Sequence, residues 1–183
     1  MKLRIVPLDP SLHDRGAFSC GHDGVDRYLQ TTAAQAAKYF KSATFVLLGL
    51  EAPERILGFY TLAQHSYRDG EMDPVTAGAL KVHKLEQIPM IMLGQLGIVT
   101  DFQSKGLGKM LLWDVMERSY AIATEMAGVA LITDPIDNNA AQFYEKYGFE
   151  TLHKQPMHRQ ILPMKTIRAA LQQRVAGEGA GRP

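Results

Sequence analysis

The sequence predicts a mixed α/β fold in which helices pack on the faces of a central sheet. Three observations predict it. Apolar runs of strand length recur along the chain, helical segments separate several of them, and one pair of runs is joined by a short polar loop. Strands that alternate with helices form layered folds of this kind. A chain of 183 residues with 46% apolar residues is long enough to bury a sizeable core.

The predicted strands are short segments rich in aliphatic and aromatic residues. They span residues 3–8, 44–50, 56–63, 90–99, 128–133, 149–152 and 160–164. Polar residues 51–55, which include Pro53, predict a hairpin loop between the second and third strands. These two strands are the most secure antiparallel pair in the sequence.

Three helices are predicted from composition and apolar spacing. Residues 25–40 are rich in Ala and Gln and contain neither Gly nor Pro. Their predicted buried stripe consists of Val25, Leu29, Ala33 and Ala36. A second helix runs from Leu107 to about residue 126, and a third spans residues 137–147 and ends at Gly148.

Two segments are predicted to lie outside this regular framework. Residues 67–89 form a long polar connection, with a short helix near residues 75–80. We assign residues 1–168 to one domain and residues 169–183 to a flexible C-terminal tail. Residues 151–183 carry six Lys and Arg but one acidic residue, so this portion either contacts an anionic partner or is simply solvated.

Composition excludes several classes of protein. The net charge of +1 argues against a protein coated in positive charge, and a single cysteine, Cys20, excludes an internal disulfide. No signal peptide is evident, and no apolar run reaches the ~20 residues of a membrane span. The protein is therefore expected in the cytoplasm. The six histidines lack the close spacing of metal ligands, so no metal is expected.

The motif around which the chain is organised is Gln103-Ser104-Lys105-Gly106-Leu107-Gly108, named here the glycine turn. It lies between a predicted strand and a predicted helix. A helix N-terminus offers free N–H groups and a positive dipole end, and glycine lets a ligand approach the backbone closely. The glycine turn is thus a candidate phosphate site, although taken alone it is equally compatible with simple helix capping.

A second motif, Phe143-Tyr144-Glu145-Lys146-Tyr147-Gly148-Phe149, ends the third helix. Phe143 and Tyr147 are four residues apart and share a face of that helix. Taken alone, these aromatic side chains are interpreted as packing residues. The motif therefore acquires a functional meaning only in combination with the glycine turn.

Together the two motifs resemble the Gcn5-related N-acetyltransferase (GNAT) family, over about residues 3–165. The resemblance implies a mostly antiparallel central sheet flanked by helices, with a splayed strand pair at the coenzyme A site. The glycine turn, Gln103 to Gly108, would hold the pyrophosphate of acetyl-CoA through backbone amides, and no other cofactor is implied. Leu96, Gly97 and Ile98 would bind the pantetheine arm like an added strand. Tyr144 would protonate the leaving sulfur as the general acid.

Further segments resemble one branch of that family, the acetyltransferase toxins of bacterial toxin–antitoxin pairs. They are 18–21, 26–29, 58–62, 88–89, 93–98 and 162–167. This resemblance implies acetylation of the α-amine of the aminoacyl group on charged tRNA, which blocks translation. It also implies a ribbon-helix-helix antitoxin as partner and permits a homodimer. No general base is evident, and an α-amine with a pKa near 7.7–8 needs little help from one.

The chain departs from the pattern of this branch at three positions. Gln95 and Gly97 stand where relatives usually have Arg and Ala, and Asp137 stands where many have Asn. The change at Gln95 removes a charge, so any role of that arginine near the substrate is in doubt. The glycine turn and Tyr144 are intact.

Binding of tRNA requires a basic surface. The candidate residues are Lys38, Lys41, Arg68, Lys81, Lys84 and Arg159. No alternation of aromatic and basic residues specific for RNA is evident, and each single cation is also compatible with an ordinary solvated face. Two other functions stay open: acetylation of a small-molecule amine or protein N-terminus, and a non-catalytic CoA-fold protein that serves in interactions.

Overall fold

The computed structural model describes residues 2–68, 70–82, 85–152 and 158–179. Within them the strands form a sheet of seven with the order β1-β2-β3-β4-β5-β7-β6. The strands are β1 (Leu3–Pro7), β2 (Ala43–Gly49), β3 (Ala52–Arg68), β4 (Gln87–Ile98), β5 (Ala130–Thr133), β6 (Glu150–Thr151) and β7 (Gln160–Pro163). The helices are α1 (Asp23–Arg27), α2 (Ala33–Lys38), α3 (Pro74–Leu80), α4 (Leu107–Met126), α5 (Asn138–Glu145) and α6 (Met164–Gly179). The predicted α/β class with a mostly antiparallel sheet is confirmed.

The predicted first helix is interrupted. A π-helical turn, Tyr28–Thr32, separates α1 from α2. The hydroxyl of Thr31 donates to the carbonyl of Arg27 over 2.7 Å, which competes with the helical ladder and favours a wider turn. The buried stripe is confirmed, because all four of its side chains are at most 9% exposed.

The hairpin of β2 and β3 is confirmed, but its loop is shorter than predicted. The register pairs Gly49 with Ala52, so that only Leu50 and Glu51 form the turn. Residues 52–55 are therefore part of strand β3. The amide of Asp14 donates to the carbonyl of Glu54 over 2.9 Å, next to a register shift in the pairing of β2 with β3. Strand β3 also continues to Arg68, with half-buried and exposed residues alternating from Ala63 to Ser66.

The chain divides into two compact units. The first consists of Met1–Ala63 and Leu93–Val115, and the second of Gln64–Met92 and Met116–Pro183. In the first, β1 pairs with β2 and β2 with β3, and the buried rings of Phe18 and Phe59 meet edge to face at 5.2 Å. In the second, β7 pairs with both β5 and β6. The core of the second unit contains Tyr67, Met72, Val82, Ile88, Met90, Ala130, Ile132, Leu152 and Ile161.

The C-terminal segment differs from its prediction. Helix α6 continues to Gly179, so residues 169–179 of the expected flexible tail are helical. Ala, Leu, Gln and Arg, which dominate this segment, are good helix formers. No helix among the described residues has the length and apolar character needed to cross a membrane.

Candidate active site

The glycine turn combines two left-handed residues with a helix N-terminus. Ser104 has φ = 58° and Gly106 has φ = 83°, and residues 103–106 are exposed. In helix α4 the amide of Met110 donates to the carbonyl of Gly106 over 3.2 Å. The first turn of α4 contains the amides of Leu107, Gly108 and Lys109, which come before Met110 in the chain. In its first turn a helix offers N–H groups to an external acceptor. The predicted anion site thus has the required backbone geometry.

Gln103 has a different part in this turn from the predicted one. Its side-chain amide donates to the carbonyls of Cys20 over 2.8 Å and Ile98 over 3.0 Å. Its backbone amide donates to the carbonyl of Thr100 over 3.2 Å. The prediction that Gln103 binds the cofactor directly is therefore corrected, because its donors are already bound to the protein. Gln103 positions the glycine turn against the end of β4.

The loop that receives Gln103 is itself fixed by a buried carboxylate. Asp26 accepts hydrogen bonds from the amide of Cys20 over 2.8 Å and from the hydroxyl of Ser19 over 3.0 Å. The amide of Thr100 donates to the carbonyl of Ser19 over 3.0 Å. Asp26, Ser19 and Cys20 therefore connect helix α1 to the chain just ahead of the glycine turn. Ser19 and Thr100 are distant along the chain, so no local pattern predicts the bond between them.

The end of β4 is tightly packed. Leu96 is half-buried, and Gly97 and Ile98 are buried. A Cβ at Gly97 would lie 3.0 Å from Cγ1 of Val25 and 3.4 Å from Sγ of Cys20. This crowding leaves little room for a side chain at position 97. Burial also raises the pKa of the Cys20 thiol to about 12, so the buried Cys20 stays a neutral thiol at physiological pH.

Tyr144 lies in the second unit, at the C-terminal end of α5. Asp137 caps this helix, because its carboxylate accepts a hydrogen bond from the amide of Ala140 over 2.8 Å. Gly148, with φ = 87°, follows the end of the helix, as predicted. The Asp137 cap and Gly148 thus bound the segment that carries Tyr144.

The surroundings of Tyr144 keep its hydroxyl protonated. The side chain is 6% exposed, and its ring lies 5.3 Å from that of Phe143 and 5.2 Å from that of Phe149. Burial raises the pKa of Tyr144 to about 12, against a smaller lowering by a hydrogen bond with the side chain of Thr133. We name Tyr144, Phe143, Phe149 and Thr133 the tyrosine cluster. It holds a neutral phenol throughout the physiological pH range.

Arg159 was predicted as a surface contact for tRNA, and this prediction is corrected. The residue is 8% exposed. Its guanidinium makes two hydrogen bonds with the carboxylate of Asp134, at 2.6 and 2.7 Å, and a third with the hydroxyl of Tyr67 at 3.0 Å. The fork of an arginine fits a carboxylate in this way, and a guanidinium so engaged is unavailable to a phosphate.

His65, which the sequence did not single out, belongs to the same cluster. Its Nε2 lies 3.1 Å from Nη1 of Arg159, and because arginine can only donate, Nε2 accepts. Burial, reinforced by the charge of Arg159, lowers the pKa of His65 below its usual value. His65 also lines an open groove of about 540 Å³ with Gln64, Ser66, Gln87, Pro89 and Met90.

Unlike Arg159, the other predicted tRNA contacts that the structure describes are exposed. Lys38, Lys41, Arg68 and Lys81 are exposed, and Lys84 lies outside the described residues. Among the described residues no three His, Cys, Asp or Glu side chains are grouped so that they could hold a metal ion.

The comparison with protein families decides the class of the molecule. The model of the acetyltransferase (GNAT) domain matches residues 41–151, more than half of the chain. The chain belongs to this family. As a GNAT member it is an N-acetyltransferase.

Two curated relatives cover almost the whole length of this GNAT protein. A protein of Sinorhizobium fredii (strain NBRC 101917 / NGR234), named probable toxin TacT, is 28% identical over 91% of this chain and 94% of its own. A protein of Mycobacterium tuberculosis (strain ATCC 25618 / H37Rv), named tRNA-acetylating toxin, is 28% identical over 86% of this chain and 90% of its own. Both names describe toxins.

A solved structure of similar fold is that of AtaT complexed with acetyl-methionyl-tRNAfMet. It has a TM-score of 0.83 and 21% identity, and the match covers 93% of this chain and 99% of that one. At this identity the likeness establishes the fold, and the substrate has to be argued separately.

Proposed function

We propose that the protein is an acetyl-CoA-dependent toxin that acetylates the α-amine of the aminoacyl group on charged tRNA and thereby blocks translation. The observation that carries the proposal is the match over about nine-tenths of the chain to proteins named as toxins, one of them a tRNA-acetylating toxin. The glycine turn and Tyr144 support it, because they offer an anion site and a proton donor.

The glycine turn fits the pyrophosphate of acetyl-CoA, which would supply the activated acetyl group. The left-handed residues Ser104 and Gly106 directly precede helix α4, and a turn of this conformation followed by a helix N-terminus suits the binding of an anion by backbone amides. Exposed Lys105 and Lys109 add positive charge nearby. Recognition by main-chain donors makes the side chain of Ser104 unimportant for binding.

We assign the binding of the pantetheine arm to the backbone of residues 96–98 at the end of β4. The amide near Ile98 is the candidate donor to the oxyanion that forms when the amine attacks the acetyl carbonyl. Gly97 and Ile98 are buried, so such a donor is fixed before the reaction begins and needs no reorganisation.

Tyr144 is assigned the role of general acid. A thiolate leaves when the tetrahedral intermediate collapses, and the hydroxyl of Tyr144 gives it a proton. The tyrosine cluster raises the pKa of Tyr144 to about 12, well above that of a thiol in water. Burial also raises the pKa of a thiol, so a departing sulfur in apolar surroundings is a stronger proton acceptor than the same sulfur in water.

The acceptor amine is expected to react without a dedicated base. His65 is the histidine that lines the described groove, but its Nε2 lone pair is bound to the guanidinium of Arg159. The α-amine of an aminoacyl ester has a pKa near 8, so a useful fraction is neutral at physiological pH. A lysine acceptor, with a pKa near 10.4, would be protonated almost completely.

The exposed lysines and arginine are proposed as contacts with tRNA phosphates. Such contacts must be exposed, as are Lys38, Lys41, Arg68 and Lys81. Lys84 is proposed from the sequence alone. Reversing the charge of Lys81 and Lys84 should weaken tRNA binding and reduce its salt dependence by about one phosphate contact per residue. Lys2→Glu provides the control for each single reversal, since it makes the same charge change at another exposed site. An unchanged salt dependence would remove this patch from the proposal.

A toxin of this kind requires a partner that neutralises it. We propose a ribbon-helix-helix antitoxin, a site of action in the cytoplasm, and a possible homodimer. Co-expression with the product of an adjacent small gene that encodes such a protein should restore growth. Sedimentation of the purified protein measures the oligomeric state.

The decisive experiment is induced expression of the wild type and of Tyr144→Phe in a bacterial host. We expect growth arrest with the wild type alone, together with acetylated aminoacyl-tRNA detected by mass spectrometry. Growth without arrest and without modified tRNA contradicts the proposal. In that case acetylation of small amines or of protein N-termini by the purified enzyme becomes the next assay.

A further inference from the structure

The most exposed large apolar side chain described in this protein is that of Phe40. It is 97% exposed, and the adjacent Tyr39 is 57% exposed. Both lie directly after helix α2, between Lys38 and Lys41, which are also exposed. Two accessible aromatic rings are thus flanked by a cation on each side.

The backbone at Phe40 adds a second, independent observation. Helix α2 ends in a Schellman motif: the amide of Lys41 donates to the carbonyl of Ala36 over 2.9 Å, and that of Phe40 to Ala37 over 3.1 Å. In this motif the residue after the cap adopts a left-handed conformation, and Phe40 has φ = 55°. Glycine is the usual residue here, because a side chain is strained in this conformation.

Phe40 is therefore unfavourable for the backbone and contributes nothing to the core of the first unit. Folding does not explain a bulky aromatic residue at this position. Strained residues of this kind concentrate at ligand-binding sites. The position therefore points to a ligand that is bound by the ring itself.

The neighbouring charges indicate the class of ligand. The Nζ of Lys38 lies 6.0 Å from the centre of the Tyr39 ring, so a positive charge lies beside an aromatic face. Lysines beside exposed aromatic rings suit single-stranded nucleic acid, because phosphates pair with the cations and unpaired bases stack on the rings. A second protein surface of apolar character would leave Lys38 and Lys41 without a matching charge.

We propose that residues 38–41 form a stacking platform for unpaired bases of the substrate RNA, with Tyr39 and Phe40 as the stacking rings and Lys38 and Lys41 as phosphate contacts. This inference rests on the proposed function and deepens it. The aminoacyl group of a charged tRNA is attached to a single-stranded 3′ end. The platform would read that end by its lack of base pairing rather than by its sequence.

The test uses the purified full-length protein and a fluorescein-labelled short single-stranded RNA, with a blunt duplex of the same sequence for comparison. Phe40→Gly should weaken binding of the single strand about five- to a hundredfold, the range for loss of one stacked base. Binding of the duplex should change less than about twofold, since stacked bases are inaccessible. Phe40→Trp should retain binding.

Phe40→Gly should weaken RNA binding but increase the stability of the protein. Phe40→Gly relieves the left-handed strain, so its Tm should rise by about 2–4 °C. Weaker RNA binding by a protein of higher Tm cannot result from misfolding. Leu12→Ala is the matched control, because it removes another exposed apolar side chain, 65% exposed, and should leave RNA binding unchanged.

Two outcomes of the binding measurements overturn the platform. In one, Phe40→Gly binds the single strand as tightly as the wild type. In the other, it loses self-association or antitoxin binding while RNA binding is retained, which makes residues 39 and 40 a protein interface. Failure of the proposed function is seen separately, as a wild type that acetylates no aminoacyl-tRNA. An active wild type whose KM for aminoacyl-tRNA is unaffected by Phe40→Gly contradicts the platform alone.

Discussion

The glycine turn is exposed and offers backbone amides, whereas the tyrosine cluster is buried and offers one hydroxyl. The glycine turn depends on two left-handed residues and on the Gln103 side chain that fixes it to Cys20 and Ile98. The tyrosine cluster depends on desolvation, which raises the pKa of Tyr144 to about 12. The glycine turn is therefore sensitive to its backbone conformation and to the Gln103 side chain, whereas the tyrosine cluster is sensitive to the loss of one buried hydroxyl.

Removing the hydroxyl of Tyr144 should have the largest effect. Tyr144→Phe keeps the ring against Phe143 and Phe149, so acetyl-CoA binding should change little. Turnover should fall about 10²- to 10³-fold, the usual contribution of a general acid. Rapid-quench turnover with aminoacyl-tRNA and calorimetric binding of acetyl-CoA separate the two effects.

Tyr147→Phe serves as the control for that variant. It makes the same change on the half-buried neighbour that packs 5.2 Å from Phe143, and turnover should be unaffected. Equal losses in both variants, or a full rate in Tyr144→Phe, would show that the tyrosine cluster contributes packing and not acid chemistry.

A backbone change in the glycine turn should have the next largest effect. A Cβ at Gly106 meets nothing within 4 Å, so the obstacle to Gly106→Val is its φ of +83° rather than space. Strain of about 1–3 kcal/mol should distort the turn and weaken acetyl-CoA binding about 10- to 100-fold. Calorimetry measures this, while turnover at saturating acetyl-CoA should change less.

Gly70→Val is a closely matched control for this substitution. Gly70 has the same φ of +83° and the same open surroundings, but lies in the second unit, away from the glycine turn in sequence. It should lose a similar amount of stability without losing acetyl-CoA affinity. If both variants bind acetyl-CoA equally well, the glycine turn is only a helix cap.

The pH dependence of the reaction rate tests whether the hydroxyl of Tyr144 stays protonated. Since burial raises the pKa of Tyr144 to about 12, the neutral donor persists to a higher pH than in a free tyrosine. The rate should therefore rise about tenfold per pH unit below the pKa of the acceptor amine, near 8, and then stay level to about pH 10. Single-turnover rates across this range provide the measurement. A fall centred near pH 9–10 contradicts the desolvated state of Tyr144.

Loss of the Gln103 contacts should have the smallest effect of the four. Gln103→Ala removes two hydrogen bonds from the glycine turn, each worth about 1 kcal/mol, and should weaken acetyl-CoA binding roughly tenfold with a lower Tm. Gln103→Glu keeps the size but cannot donate, so it should be no better. Full affinity in Gln103→Glu would mean that shape, and not hydrogen bonding, positions the turn.

The sequence was informative where the determining interactions are local. The helix predicted over residues 137–147 is present as α5, and its predicted end at Gly148 agrees with the positive φ of that glycine; the Asp137 cap was found only in the structure. The strand, glycine turn and helix around residues 90–126 were likewise predicted within a few residues. The extension of β3 to Arg68 was missed, because the polar residues of this segment are typical of a loop. Only the structure shows that half-buried and exposed side chains alternate along it.

The sequence by itself thus determined the family, the order of the seven strands and the positions of the glycine turn and Tyr144, since apolar period and glycine conformations act over a few residues. Tertiary structure decided which polar groups are already occupied. Arg159 looked like a free cation until Asp134 and Tyr67 were found beside it, and Gln103 looked like a ligand contact until its carbonyl partners were found. Phe40 became a candidate only through its exposure. The physical reason is that burial and hydrogen-bond partners depend on residues distant in the chain, which no local pattern records.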